Sequence, residues 1–319
     1  MTLNHLILVE GLTGSGKSNA AHFIARQINR QKIPSSWLHE GEIQHPVLQN
    51  IEESSNEDLI QTIQSNWSRF LTSRIHTQEI IILEASFFNN LFESLFIRNI
   101  PLQKIITLHT ELSNQAMPLN PALVYLDSGN VQQALDKNFR NRGESFKNFV
   151  IDFVMNTSYA KKHQLSGTAG CYQFWEGFVA LTDKLYDQSK FKKIKLDVLN
   201  TSWKQNEELA TDFLGIPYTP DMQLSSHLLL PYTGKYKDNT SSRDFEVKYQ
   251  HGILQTNWIH NTFTRLIPVE LDQFQAAGWH FTLHFKRSSS GQIQEIQIDG
   301  KDIDYLQLVG RKAFRRGSG

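Results

Sequence analysis

An apolar run, Leu6-Ile-Leu-Val9, leads almost directly into Gly11-Leu-Thr-Gly-Ser-Gly-Lys-Ser18, and this junction constrains the chain more than any other feature. The octapeptide fits G-x-x-x-x-G-K-[ST], in which a buried strand ends in a glycine loop and a helix follows. Glycines at 11, 14 and 16 let the backbone bend tightly and turn its amides inward. Anionic phosphate sits on those amides, on the N-terminus of the next helix and on Lys17, while Ser18 offers a hydroxyl to magnesium. Gly11, Thr13, Gly14, Ser15, Gly16, Lys17, Ser18 and Asn19 are therefore the expected nucleotide set, with Mg2+ held at Ser18. No Asn-Lys-x-Asp guanine-reading motif follows, which leaves ATP as the default nucleotide.

Further apolar runs at Ile80 to Leu83, Ala122 to Leu126 and Ile194 to Leu199 read as buried parallel strands, with helix-length segments between them. Ser36-Trp-Leu-His39 adds one more strand after a first helix whose apolar face runs through Ala21, Ile24, Ala25 and Ile28. The alternation predicts an α/β three-layer sandwich with a mainly parallel sheet of about five strands. At Gly215-Ile-Pro-Tyr-Thr-Pro220 the texture changes to short alternating blocks: 245 to 249, 252 to 256, 263 to 269, 280 to 285 and 293 to 298. With turns at His251-Gly252 and Ser288 to Gly291, these predict a small antiparallel β-sheet or barrel. The expected division is 1–217 for the α/β domain and 223–311 for the β-domain.

Lys and Arg total 32 against 32 Asp and Glu, so there is no net field to draw in a nucleic acid polymer or an anionic membrane. A single cysteine, Cys171, suits a reducing compartment, and the expected location is cytoplasmic. The N-terminus shows no basic region with a cleavage site, and the apolar runs are too short for a membrane span. The basic cluster Arg311, Lys312, Arg315 and Arg316 reads as a solvated tail, and Gly317-Ser318-Gly319 as an appended remnant.

Glu84 ends an Ile-Ile-Ile-Leu run and so emerges at the carboxyl edge of the sheet, where it offers magnesium a hard oxygen through water. Glu40 and Glu42 follow the second strand, and in extended chain a spacing of two points both to one side. One of them is the expected general base facing the acceptor, with Glu40 preferred. His39 and His45 lie close by, but read as surface or packing residues. Arg140 and Arg142 end a helix that starts near Val131 and meets Gly143; their spacing sends them to different faces, and Arg142 beside the glycine is favoured. The aromatic stripe through Tyr172, Phe174, Trp175 and Phe178, like Trp67 and Phe70, reads as core.

The Glu-Gly-Leu-Thr-Gly-Ser-Gly-Lys-Ser loop, the strand ending in Leu83-Glu84 and the arginine segment after a fourth strand come in one order. In that order the first 217 residues resemble the nucleoside and nucleotide kinases, thymidylate kinase and deoxynucleoside kinases included. The resemblance implies phosphoryl transfer with a carboxylate base after the second strand, and a mobile lid in which Arg140 or Arg142 clamps the transferring oxygens. It also makes Asn200-Thr-Ser-Trp203 the place where adenine is held, with Trp203 bordering the base; read from the residues themselves, Asn200 or Thr201 equally caps the last helix, Lys204 to Leu214. The chain departs from the pattern at Glu84-Ala85-Ser86, where thymidylate kinases carry Asp-Arg and deoxynucleoside kinases Glu-Arg-Ser.

Tyr232-Thr-Gly-Lys-Tyr236, Gly252-Ile-Leu254, Leu266-Ile-Pro268 and Phe274 are similar to a small β-domain appended to penicillin-binding-type serine hydrolases. The likeness brings no catalytic residues, and the expected role of the β-domain is a substrate lid, an oligomerisation surface such as a homodimer's, or a binding module for a second ligand. The expected activity is an ATP- and Mg-dependent phosphotransferase for a small-molecule acceptor, nucleoside or nucleotide first and antibiotic-like second. The alternative is an ATP-hydrolysing switch or a nucleotide-binding module that signals through the β-domain.

Overall fold

The computed structural model of the chain describes residues 3–259 and 262–316; the Gly-Ser-Gly end lies outside them. Two units emerge, Met1–Glu40 with Gln44–Tyr218, and Gly41–Ile43 with Thr219–Gly319.

The first unit is built on five parallel strands, β1 (Leu6–Gly11), β2 (Ser35–Leu38), β3 (Ile80–Glu84), β4 (Ala122–Asp127) and β5 (Lys192–Asp197), in the order β2-β3-β1-β4-β5. β1 lies between β3 and β4 and is buried along its whole length. Its side chains alternate between two cores: Leu6 and Leu8 join one cluster, Ile7 and Val9 the other. The second cluster packs against α1 (Lys17–Arg30), and its Ala21, Ile24, Ala25 and Ile28 are the buried face expected from the sequence.

The first cluster lies under α2 (Leu59–Arg74), α3 (Glu93–Ile97), α4 (Leu102–Ala116), α5 (Val131–Arg142), α6 (Glu144–Asn156), α7 (Ser158–Lys162) and α8 (Gly167–Gln188). Trp67, Phe70, Phe174, Trp175 and Phe178 all sit within it, so the aromatic stripe is core. β5 starts two residues before the apolar run and ends at Asp197, whose Oδ1 accepts from the amides of Leu199 and Asn200 and turns the chain. The last helix, α9 (Trp203–Leu214), is capped by Ser202 in a capping box with Gln205. This corrects the expected cap: Asn200 instead donates its side-chain amide to Asp197 at 2.8 Å.

The second unit is a closed eight-stranded antiparallel barrel. Its strands are β6 (Gly234–Asp238), β7 (Asp244–Gln250), β8 (Ile253–Thr256), β9 (Thr264–Glu270), β10 (Gln273–Ala276), β11 (Phe281–Arg287), β12 (Ile293–Gly300) and β13 (Lys312–Arg315), and a short α10 (Ser226–Leu229) precedes them. Tyr236, Phe245, Trp258, Phe274, Phe281 and Ile296 fill the interior, which is a packed core. β6, β10 and β13 are not evident as strands in the sequence. The basic cluster near the C-terminus is corrected most: Lys312–Arg315 is no tail but the strand that pairs with β12 and β6 to close the barrel.

Candidate nucleotide and catalytic site

The loop after β1 takes a shape that only glycine fits. Gly14 has φ +79, and a Cβ there would come within 2.6 Å of Asn138 Nδ2; Gly16 has φ +96, and a Cβ would meet Trp203 Cζ3 at 3.3 Å. α1 then starts at Lys17 with no side-chain cap, which leaves its N-terminal amides at the loop. Lys17 is buried and its Nζ donates to the carbonyls of Gly11 (3.1 Å) and Leu12 (3.3 Å), neutral partners that leave its charge uncompensated by a carboxylate contact. Ser15 is also buried, and its Oγ has no hydrogen-bond partner. Thr13 is half-buried and Asn19 exposed, flanking the loop on either side.

Glu84 ends β3 next to this loop, as its place in the sequence predicts. Its Oε1 accepts from Ser18 Oγ at 3.1 Å, and its Oε2 accepts from the backbone N–H of Glu40, also at 3.1 Å. One carboxylate thus joins the phosphate loop to the segment after β2. Burial, then the charge of Glu40, pushes Glu84 up to about 8 against the pull of Lys17. Ala85, which follows it, is fully buried at φ +51, a left-handed conformation that non-glycine residues seldom adopt.

Glu40 and Glu42, expected to act from one side, fall in different units. Glu40 belongs to the first unit, and its Oε2 accepts from Asn90 Nδ2 at 3.2 Å. Glu42 belongs to the second unit, where it pairs with Lys301 and with His280 Nε2 at 3.2 Å. Burial alone would push Glu42 up, but the bonds from His280 and Lys301 outweigh it and hold the carboxyl down to about 2. A carboxylate so firmly ionised and paired makes a poor proton acceptor.

The kinked helical segment Phe87–Phe92 is held from β1. Glu10, fully buried one residue before Gly11, accepts from the backbone N–H groups of Phe87 (2.7 Å) and Asn89 (3.0 Å). Burial pushes Glu10 up to about 8, although both bonds oppose the shift. At the kink Asn90 has φ +57 and ψ −70, near the strained γ-turn conformation, and its amide also donates to Ala85 O at 2.7 Å. Glu93 follows at the start of α3; burial pushes it up to about 7, with Lys17 opposing and Glu40 adding to the shift. His45 is no surface residue: it is buried, and its Nε2 meets Ser86 Oγ at 3.0 Å while Ser86 donates to Glu84 O at 2.8 Å.

No family model and no curated protein matches this chain. Among solved structures it is similar to the YorR protein of Bacillus subtilis in complex with phosphorylated GDP, at 14% identity and a TM-score of 0.38, over 66% of this chain and 94% of that one. It is also similar to deoxyadenosine kinase from M. mycoides with bound dATP, at 16% identity and a TM-score of 0.39, over 66% of this chain and 99% of that one.

The two arginines lie at the end of α5, with Gly143 closing the helix at φ +88. Arg140 is exposed, whereas the Arg142 guanidinium stacks 3.6 Å above the Phe146 ring centroid. Arg142 lies four residues beyond Asn138 and so on the same helix face, the face that meets Gly14. Trp203 sits beside Gly16 at the start of α9. Sequence reasoning assigned no part to Glu10, Asn90, Glu93 or Asn138. Glu10 carries a local signal in its place beside Gly11; the other three are brought in by tertiary packing.

Among the described residues no group of three or more His, Cys, Asp or Glu side chains is set to hold a metal ion, and no helix is long and apolar enough to cross a membrane. A hydroxyl and a carboxylate 3.1 Å apart still fit magnesium, which keeps most of its shell as water and phosphate oxygens.

Proposed function

We propose that this chain is an ATP- and Mg-dependent phosphotransferase acting on a small molecule with a hydroxyl or phosphate acceptor, a nucleoside or nucleotide first, in the manner of the thymidylate kinase group. One observation carries the proposal: Glu84 accepts from Ser18 Oγ on one oxygen and from the Glu40 amide on the other, both at 3.1 Å. This arrangement supports reading Ser18 and Glu84 as a metal-binding pair and Glu40 as the base beside one phosphate loop, the parts phosphoryl transfer requires.

Bound MgATP supplies the phosphoryl group and the divalent charge. The loop amides from Thr13 to Ser18 and the Lys17 ammonium would hold the phosphates, and Ser18 and Glu84 would hold the metal. Glu40, oriented by Asn90, would accept the proton of the acceptor hydroxyl as its oxygen bonds to the γ-phosphorus, while the bond from that phosphorus to the β-phosphate oxygen breaks and ADP leaves. Asn90 and Glu93 border the acceptor side, Trp203 borders the base, and Arg142, on the face of α5 that meets the loop, steadies the transferring oxygens. The second unit lies outside this chemistry.

The test is product mass. The full chain, incubated with ATP, Mg2+ and a panel of nucleosides, nucleotides and aminoglycoside-type acceptors, is expected to add one phosphoryl group to at least one class. ATP hydrolysis at a rate indifferent to every acceptor, with no phosphorylated product, would overturn the transferase in favour of a hydrolysing switch.

A further inference from the structure

We propose that Asn138 is a nucleotide-binding residue: its side-chain amide donates a hydrogen bond to a phosphate oxygen of the nucleotide held at Gly14. The proposal rests on the phosphate-loop reading above and adds to it a donor from a different element.

α5 is amphipathic, and its buried positions are Val131, Leu135, Asn138 and Phe139. Three of the four are apolar, as an inward face should be. Asn138 breaks the pattern, being only 9% exposed and carrying an Nδ2 with no hydrogen-bond partner. A buried donor left unpaired costs stability, and leucine or alanine would serve a helix interior better. Such a residue calls for a partner that arrives only with the ligand.

Its surroundings identify that partner. The Asn138 amide lies against Gly14, where a Cβ would come within 2.6 Å of Nδ2, 2.7 Å of Cγ and 3.0 Å of Oδ1. The adjacent residue, Ser15, presents the second buried orphan of the loop, its Oγ. Two unpaired polar side chains, one from the loop and one from α5, thus flank a backbone built to cradle an anion. An amide offers two N–H donors, and a phosphate oxygen is the acceptor class that this loop takes.

α5 is also held in place. Asn130 caps it by accepting from Gln133 N at 2.8 Å, the Tyr172 hydroxyl donates to Asp136, and Leu135 and Phe139 are buried in the core. Asn138 is therefore presented to the loop from a fixed support.

The experiment titrates the full chain with β,γ-imido-ATP and Mg2+ by calorimetry, and melts the same proteins without nucleotide. Asn138→Leu and Asn138→Ala are expected to weaken binding roughly tenfold or more, as for loss of a hydrogen bond to a charged group. The Leu variant, which also removes the unpaired amide, should melt at or above the wild-type temperature. Asn138→Asp should lose more affinity than Asn138→Ala, because a carboxylate repels phosphate. Leu and Ala variants that bind within twofold of wild type, while Lys17→Ala does not bind, would overturn the proposal and leave the phosphate-loop reading intact. Lost affinity accompanied by a lowered melting temperature in both variants would assign Asn138 a structural role and also overturn it. Binding by Lys17→Ala equal to wild type would instead overturn the phosphate-loop reading itself, and this proposal with it.

Discussion

Lys17 donates to two loop carbonyls and makes no direct carboxylate bond among the described residues, although its charge acts on Glu10, Glu84 and Glu93. Lys17→Ala should therefore abolish ATP turnover and leave the far-ultraviolet circular dichroism spectrum unchanged; turnover within a few-fold of wild type would contradict its role. Glu84→Gln keeps the volume but removes a carboxyl that would ionise on binding a metal beside Ser18, and should weaken nucleotide binding with Mg2+ far more than in EDTA. Equal losses in both conditions would remove Glu84 from the metal site. At Asn90 the backbone holds φ +57, which glycine adopts without strain, while the side-chain amide reaches Glu40 and Ala85 O. Asn90→Gly is thus expected to keep the melting temperature within a few degrees and to lower kcat by about tenfold or more, on the scale of general-base catalysis. A kcat equal to wild type would show that Glu40 needs no such support.

The kinked segment between β3 and α3 draws its conformation from Glu10 on β1, across 77 and 79 residues of sequence. Unfolded, Glu10 ionises near its ordinary value of 4.5; folded, it keeps its proton to about 8, as Glu84 does, and Glu93 shifts the same way to about 7. Between those values the folded form binds more protons, so the stability they contribute is fully present below about pH 4.5 and is lost as pH rises toward 8. Without metal or nucleotide, the melting temperature of the α/β unit should accordingly fall from about pH 5 to about pH 8. Glu10→Gln, which mimics the protonated acid, should flatten that decline, and a variant profile parallel to wild type would mean that Glu10 titrates elsewhere. At the element scale, too, the closing strand β13 explains the basic C-terminal residues: Lys312 pairs with Glu295 at 3.7 Å, across the β12–β13 pair.

Each unit has its own hydrophobic core, one divided by the parallel sheet and one inside the barrel. Calorimetry of the whole chain is therefore expected to resolve two unfolding transitions. β,γ-imido-ATP with Mg2+ should raise only the transition of the α/β unit, by about 2.7 kcal/mol at a hundredfold excess over Kd. A joint shift of both transitions would show that the units unfold as one and that the barrel shares in nucleotide binding.

The phosphate loop, the central strands and the apolar face of α1 were legible because each rests on short-range rules: glycine backbone freedom, strand burial and helical periodicity. Glu84 was legible for the same reason, since the end of an apolar run marks the end of a strand. β6, β10 and β13 were not, because a four- or five-residue strand gains its stability from neighbours that may be far along the chain, as when β13 pairs with β6 across more than seventy residues. Glu40 and Glu42 looked equivalent from their spacing, yet the fold assigns them to different units and gives only Glu42 the cationic partners that keep it ionised. Asn90, Glu93 and Asn138 are ordinary polar residues in sequence; they gain meaning from what converges on them. The sequence by itself determined that a glycine loop, Gly11 to Ser18, would join a buried strand to a helix, since glycine backbone freedom and strand burial are local rules. The tertiary structure decided which carboxylate faces the loop and which amide stands over it, because proximity and burial, unlike residue type, exist only once the chain has folded.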